Sequence, residues 1–304
     1  MDKNVYIKFN YHYSYLLMTT PYENLNVTCA DQYLLAARFY PAQTDSKLKP
    51  ILISPATGIT MNFYNTFATW LAEQGYPVMS FDFRGIGQSL HGKLKDSKAS
   101  IQDWGQLDLP AMIDALCEKT RTDHILMIGH SAGGQLLGIT PNHSKIEKLV
   151  AIAGSTGYVK NLKGRTKLLA PLMFKVIFPI ARSTIGYGPT QKIGMGENLP
   201  KDVAKQWAEF CSQAGYVMNA IGKTIFDNYH DHVKTPITVL WASDDEIATK
   251  ANVKDLLRLY PASNTQMIEI VPSAFNHKTI GHMSMFKRSH QNIWPTILEN
   301  IQTS

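Results

Sequence analysis

The 304-residue chain has few cysteines, no block of like charge and no long apolar run. Each shortage excludes something. Three cysteines, Cys29, Cys117 and Cys211, are too few and too scattered for a disulfide framework or a metal cluster. Cys117 lies in an apolar helical stretch, where a buried thiol acts as a small hydrophobe. A reducing, cytoplasmic compartment is therefore expected. Within the first twenty residues the longest apolar run is 15–18, too short for a secretory signal. Residues 1–20 are expected to be a loose N-terminal arm or an overlong start. The most apolar later stretch, 168–181, holds Lys175 and two prolines and falls short of the roughly 20 residues that a span requires, so no stable membrane insertion is expected. Charged residues make up 18% of the chain and sum to +6. Lys and Arg are spread along it, most densely at Lys160 to Lys167 and at Lys287-Arg288, so nucleic acid is not an expected partner; the basic balance reads as a solvated surface, with attraction to anionic substrates or membrane headgroups as the alternative. Composition is silent on oligomeric state.

What the chain does have is 44% hydrophobic residues in an alternating rhythm. Short apolar runs at 33–40, 51–54, 77–83, 124–129, 148–154, 237–243 and 265–271 read as strands. Helical spacing marks 62–75 (Phe63, Phe67, Trp70, Leu71, Gln74, with Gly75 to stop it), 108–120, 132–140 and 249–260. A long C-terminal helix is expected soon after His282. Strands nearly apolar throughout, separated by helices, predict an α/β fold: a mostly parallel central sheet covered on both faces. From 157 to 233 no clear buried strand appears, while "LLAPLMFKVIFPIA" and "VAKQWAEFC" are helical in pattern. A bare loop of that length is uncommon in a compact domain. The expectation is a core made of 21–156 and 234–304, with 157–233 a mostly helical cap.

One pentapeptide carries chemistry. Gly129-His130-Ser131-Ala132-Gly133 matches G-x-S-x-G. With 18 serines and 20 glycines in 304 residues, chance alone yields such a match in about one chain in a dozen, so context must decide. Ser131 stands where a buried strand ends and a glycine-rich segment begins, the setting of a nucleophile elbow, with small residues two before and two after it. A serine hydroxyl needs a base, and the base an orienter. Asp244 and Asp245 follow the strand at 237–243, at the sheet end where ligands bind in open α/β sheets. His277 and His282 follow the last strand. The chain order Ser, Asp, His is that of α/β hydrolases. His130 is too close to swing back onto Ser131 and is expected to pack or hydrogen-bond locally. His230 and His232, lacking a third spaced ligand, read as a surface pair rather than a metal site.

The stretches "SPATGITMNFY", "FDFRGIGQS", "DWGQLDL", "GHSAGGQ", "WASDDEIAT" and "IGHMSMF" together resemble α/β-hydrolase serine hydrolases. The likeness covers roughly residues 24–302 and is nearest to bacterial hydrolases similar to serine aminopeptidases and monoacylglycerol lipases. It implies Ser131 as nucleophile and His282 as base. Asp245 is the implied acid, three residues after the small Ala242 that closes its strand, and Asp244 is left as a loop carboxylate. An oxyanion hole would be formed by the amides of Ala132 and Ala56. Where the family has His-Gly, this chain has Ser54-Pro55, so Thr57 rivals Ala56. Asp82 and Arg84 are read as a loop-bracing ion pair. No cofactor or metal is implied. The expected partner is a small-molecule ester or amide. The expected reaction is ester cleavage through an acyl-enzyme, with an apolar acyl or alkyl group in the pocket. Peptide or amide cleavage, acyl transfer and a non-catalytic binding role are the alternatives.

Overall fold

The computed structural model describes residues 22–44 and 47–302; the expectation for residues 1–20 lies outside them. Among the described residues, ten strands and eight α-helices follow in chain order. β1 (Glu23–Thr28), β2 (Leu34–Tyr40), β3 (Ile51–Ser54), α1 (Asn65–Glu73) and β4 (Val78–Phe81) come first. Next are the single turn α2 (Ile101–Asp103), α3 (Leu109–Thr120), β5 (Ile125–His130) and β6 (Ile146–Ile152). Then come α4 (Gly164–Leu172), α5 (Phe178–Thr184), β7 (Tyr187–Gly188), β8 (Leu199–Pro200) and α6 (Lys201–Cys211). β9 (Ile237–Ala242), α7 (Lys250–Leu257), β10 (Thr265–Ile270) and α8 (Trp294–Gln302) complete the chain.

Eight strands form one sheet in the order β1-β2-β4-β3-β5-β6-β9-β10. β1–β2 and β2–β4 pair antiparallel; every later pair is parallel. Side chains alternate between two cores, as period-2 geometry requires. In β5, Ile125 and Met127 join the core under α3 and α7, while Leu126 and Ile128 join the one under α1 and α8. Phe67 and Leu71 of α1 and Trp294, Ile297 and Ile301 of α8 fill that second core. Both faces of the sheet are thus covered, which is why the central strands read as unbroken apolar runs. All three cysteines are buried and unpaired.

Three local expectations fail. β1 went unread because its alternation, Leu25 and Val27 inward among polar neighbours, is that of an antiparallel edge with one wet face. The segment 132–140 is not an α-helix but two 3₁₀ turns, Ser131–Gly134 and Leu137–Ile139. Three glycines, each costing a helix about 1 kcal/mol, and a proline at 141 leave it too weak to propagate. The C-terminal helix starts only at Trp294. Two 3₁₀ turns precede it, and non-helical backbone at His290 breaks the run.

Residues 157–233 contribute no strand to the main sheet. They comprise α4, a π-helical turn Met173–Ile177 and α5, then the β7–β8 hairpin, α6 and a 3₁₀ turn Tyr216–Asn219.

Candidate active site

The carboxyl ends of β5, β9 and β3, together with the loop after β10, converge at one edge of the sheet. Ser131 follows β5 directly, with φ at +47°, in the left-handed region that costs an L-residue about 1–2 kcal/mol. The two glycines explain how so sharp a turn is possible. A Cβ on Gly129 would meet Gly134 Cα at 2.5 Å, and one on Gly133 would meet the Ser54 carbonyl oxygen at 2.2 Å. Turn and neighbouring strand touch backbone to backbone. Only a 3₁₀ turn follows Ser131, so no α-helix dipole is aimed at its hydroxyl.

His282 Nε2 lies 3.0 Å from Ser131 Oγ, and His282 Nδ1 lies 2.8 Å from Asp245 Oδ2. Asp245 is buried. Burial alone would raise its pKa; the His282 ring and the amides of Ile247 and Ala248, which donate to its Oδ1 at 2.7 and 2.9 Å, outweigh this and hold it below the ordinary carboxylate range. Asp244 points the other way and accepts the amides of Ile280 and Gly281 at 2.9 and 3.0 Å, bracing the backbone just before His282. His277 stands apart, stacked on His290 and bonded to Asn292.

His130 is not a local packer. Its Nδ1 is 2.8 Å from Tyr64 Oη and its Nε2 is 3.0 Å from the carbonyl oxygen of His282. A carbonyl can only accept, so Nε2 carries the proton and Tyr64 donates to Nδ1. Burial pushes the His130 pKa down to about 3, which keeps the ring neutral. Tyr64 Oη in turn accepts the Ala56 amide at 3.0 Å. That amide, the expected oxyanion donor, is thereby engaged. Among the described residues the Thr57 amide donates to nothing, and Thr57 lines the cavity beside Ser131.

Two other expectations are corrected. Arg84 pairs not with Asp82 but with Asp108 (2.5 Å) and Asp31 (2.7 Å). Asp82 instead accepts the amides of Met61 and Gln88, closing the loops after β3 and β4. His230 is buried rather than superficial. Its ring packs on Gly138 and Tyr260, and Nδ1 contacts Asn228 at 2.6 Å. No cluster of three or more potential metal-binding His, Cys, Asp or Glu occurs among the described residues.

Above Ser131 a cavity of about 400 Å³ runs beneath α4, the π turn and α6. Ala56, Thr57, Ser131 and His282 form its floor; Leu169, Met173, Phe174, Ile177 and Trp207 form much of its roof. Among the described residues that line it, the only titratable groups are His282, a buried thiol and a buried phenol. Glu246 ties this roof to the loop after β9. Its carboxylate accepts the amides of Arg165 and Thr166 and the Thr166 hydroxyl, at 2.7–3.2 Å, capping the first turn of α4. Tyr64 and Glu246 were not singled out as site residues by the sequence, and Asp244 was weighed only as the rival acid. A run of three acids at a strand end was the one available signal.

The doubly covered parallel sheet, with a strained serine at the central strand end, defines an α/β hydrolase. The chain belongs to the serine aminopeptidase, S33 family, whose model matches residues 47–281. It is 37% identical over 111 residues to lipase lipl-1 of Caenorhabditis elegans, covering 33% of this chain and 27% of that one. It is 30% identical over 178 residues to human lipase member K, covering 52% and 45%. These matches span less than half the length of the curated relatives. In fold it is similar to a soluble variant of monoglyceride lipase from Saccharomyces cerevisiae, at TM-score 0.60 and 15% identity over 96% of this chain and 99% of that one. A Pyrococcus furiosus esterase superposes at TM-score 0.59 and 16% identity, covering 92% and 90%. No helix among the described residues is long and apolar enough to cross a membrane.

Proposed function

We propose that the chain is a serine hydrolase of carboxylic esters bearing an apolar acyl chain. The observation that carries the reading is the unbroken line Ser131 Oγ–His282 Nε2, His282 Nδ1–Asp245 Oδ2, at 3.0 and 2.8 Å, opening into an apolar cavity. Ser131 Oγ attacks the ester carbonyl as its proton passes to His282 Nε2, and Asp245 holds the imidazole in the required tautomer. The oxyanion is met by the Ala132 amide and, with the Ala56 amide taken by Tyr64, by that of Thr57. His282 then protonates the departing alcohol, leaving Ser131 acylated. A water, deprotonated by His282, attacks the acyl-enzyme and frees the acid. Residues 157–233 act as the cap that keeps bulk water from this site.

The described residues of the lining include no carboxylate, which favours ester over aminopeptidase chemistry. A free α-ammonium brought into such a pocket would lose its hydration and find no counter-charge. The lipase relatives, matched over part of their length, support the same choice.

The test combines fluorophosphonate labelling with turnover of p-nitrophenyl esters of rising acyl length. Labelling and turnover should both vanish in Ser131→Ala. Each added methylene should raise kcat/KM by up to about fourfold, the equivalent of about 0.8 kcal/mol of apolar burial, until the cavity is full. Equal labelling of mutant and wild type would remove Ser131 from the mechanism. Higher turnover of aminoacyl amides than of esters would reverse the choice of substrate.

A further inference from the structure

The outer face of the roof is apolar where a water-facing helix would be polar. Leu168, Leu172, Val176 and Ile180 recur every fourth residue along the stretch from α4 to α5, and all four are exposed, Leu168 at 76%. The opposite side of the same stretch is also apolar: Ala170, Met173, Phe178 and Ala181 are buried against the body. Amphipathic packing accounts for only one of these two faces.

Charge singles out the same place. Residues 157–196 contain seven cations (Lys160, Lys163, Arg165, Lys167, Lys175, Arg182 and Lys192) and no Asp or Glu. Against a whole-chain net charge of +6, this +7 leaves −1 for everything else. None of the seven lies within ion-pair distance of a carboxylate among the described residues. The net positive charge of the chain is thus carried by this one segment, with six exposed cations and the half-buried Arg182. Leu169, Leu172 and Ile193 are both exposed on that surface and part of the cavity lining, so apolar surface runs from outside toward Ser131 without interruption.

We infer that this face seats the protein on a lipid surface carrying anionic headgroups. The aliphatic stripe enters the headgroup–acyl boundary and the flanking Lys and Arg meet lipid phosphates. Helices of that composition lie in the plane of an interface rather than across it, and each basic residue near such a surface contributes attraction that salt screens. A second copy of the chain is a poor occupant, because two faces of +7 would repel. Nucleic acid would use the cations and leave the leucines wet. The inference rests on the proposed ester hydrolysis only for its purpose, entry of an acyl chain directly from the bilayer; the docking itself requires no catalysis.

The test therefore uses full-length Ser131→Ala protein in flotation with vesicles of phosphatidylcholine alone or of equal parts phosphatidylcholine and phosphatidylglycerol. Binding is expected to the anionic vesicles, at least tenfold stronger than to the neutral ones, and to be released by high salt. Lys167→Glu with Lys175→Glu, and separately Leu168→Ser with Val176→Ser and Ile180→Ser, should each weaken it at least tenfold. With Ser131 restored, both variants should turn over a water-soluble short-chain ester at the parent rate, a control for folding. Failure to float on either vesicle, or equal flotation on both with the charge variants unaffected, overturns the inference even if esterase activity is present. So does a stable dimer in sedimentation that Ile180→Ser dissolves, or salt-sensitive capture by an acidic protein without vesicle binding.

Discussion

Three consecutive acids, Asp244, Asp245 and Glu246, do three different things within one turn. Asp245 meets the imidazole, Asp244 holds the backbone that carries the imidazole, and Glu246 caps a helix of the roof. Their substitutions should separate accordingly. Asp245→Asn keeps the shape but favours the wrong tautomer of His282, so kcat should fall about 10³- to 10⁴-fold with little change in KM. Asp244→Asn retains one acceptor oxygen for the two amides it now braces and should lose far less, on the order of tenfold. Steady-state kinetics on one ester decides it: a larger loss at Asp244 than at Asp245 would exchange the two roles.

At the scale of elements, the roof is pinned at two ends. At one, Glu246 supplies the capping acceptor that Lys163, at the N-cap position of α4, does not. At the other, the Glu197 carboxylate accepts the Gly87 amide, and the Glu197 amide donates to the Gly58 carbonyl. Glu246→Ala should cost about 1 kcal/mol, the usual value of a lost helix cap. The loss should be local, with faster amide hydrogen exchange in α4 and unchanged exchange in β5 and β9. Uniform acceleration across the molecule would mean that Glu246 supports the core rather than the roof. The glycine-rich segment after Ser131 shows the converse. Its helix was expected from spacing alone, yet its glycines serve backbone approach to Ser54, Gly129 and His230.

For the molecule as a whole, two histidines locked inside set the acid limit. Burial lowers His130 to about 3 and His230 to about 4, against about 6.5 in the unfolded chain. Between about pH 4 and 6.5 the unfolded state binds the extra protons, so this stability is complete above about 6.5 and is lost as pH falls toward the folded values. The slope is about 1.4 kcal/mol per pH unit for each ring. His230→Phe keeps a ring over Gly138 and removes one titration, so the slope of urea stability against pH in this window should fall by up to about 1.4 kcal/mol per unit relative to wild type, the buried carboxyls of Asp82 and Asp108, raised by burial, being common to both proteins. The depressed carboxyl of Asp245 acts in the same direction at lower pH. An unchanged slope in His230→Phe would mean that this ring is not held neutral.

By itself the sequence determined the covered parallel sheet and the chain order of Ser131, Asp245 and His282 beyond their strands, because both are written in local pattern. Strands buried on two faces must be apolar throughout, and an elbow needs small residues at positions 129 and 133. It also showed that 157–233 departs from that rhythm. Tertiary structure decided everything that depends on which way a side chain or amide turns at a strand end. Asp244 and Asp245 are adjacent, yet loops from different parts of the chain draw them to opposite tasks. Ala56 loses its amide to a tyrosine eight residues on, and Arg84 finds its partners at 31 and 108 rather than two residues away. His230, polar and beside a second histidine, is enclosed because Gly138 leaves room for its ring. Periodicity records which face a residue occupies; only the packed chain brings distant donors, acceptors and charges within reach of one another.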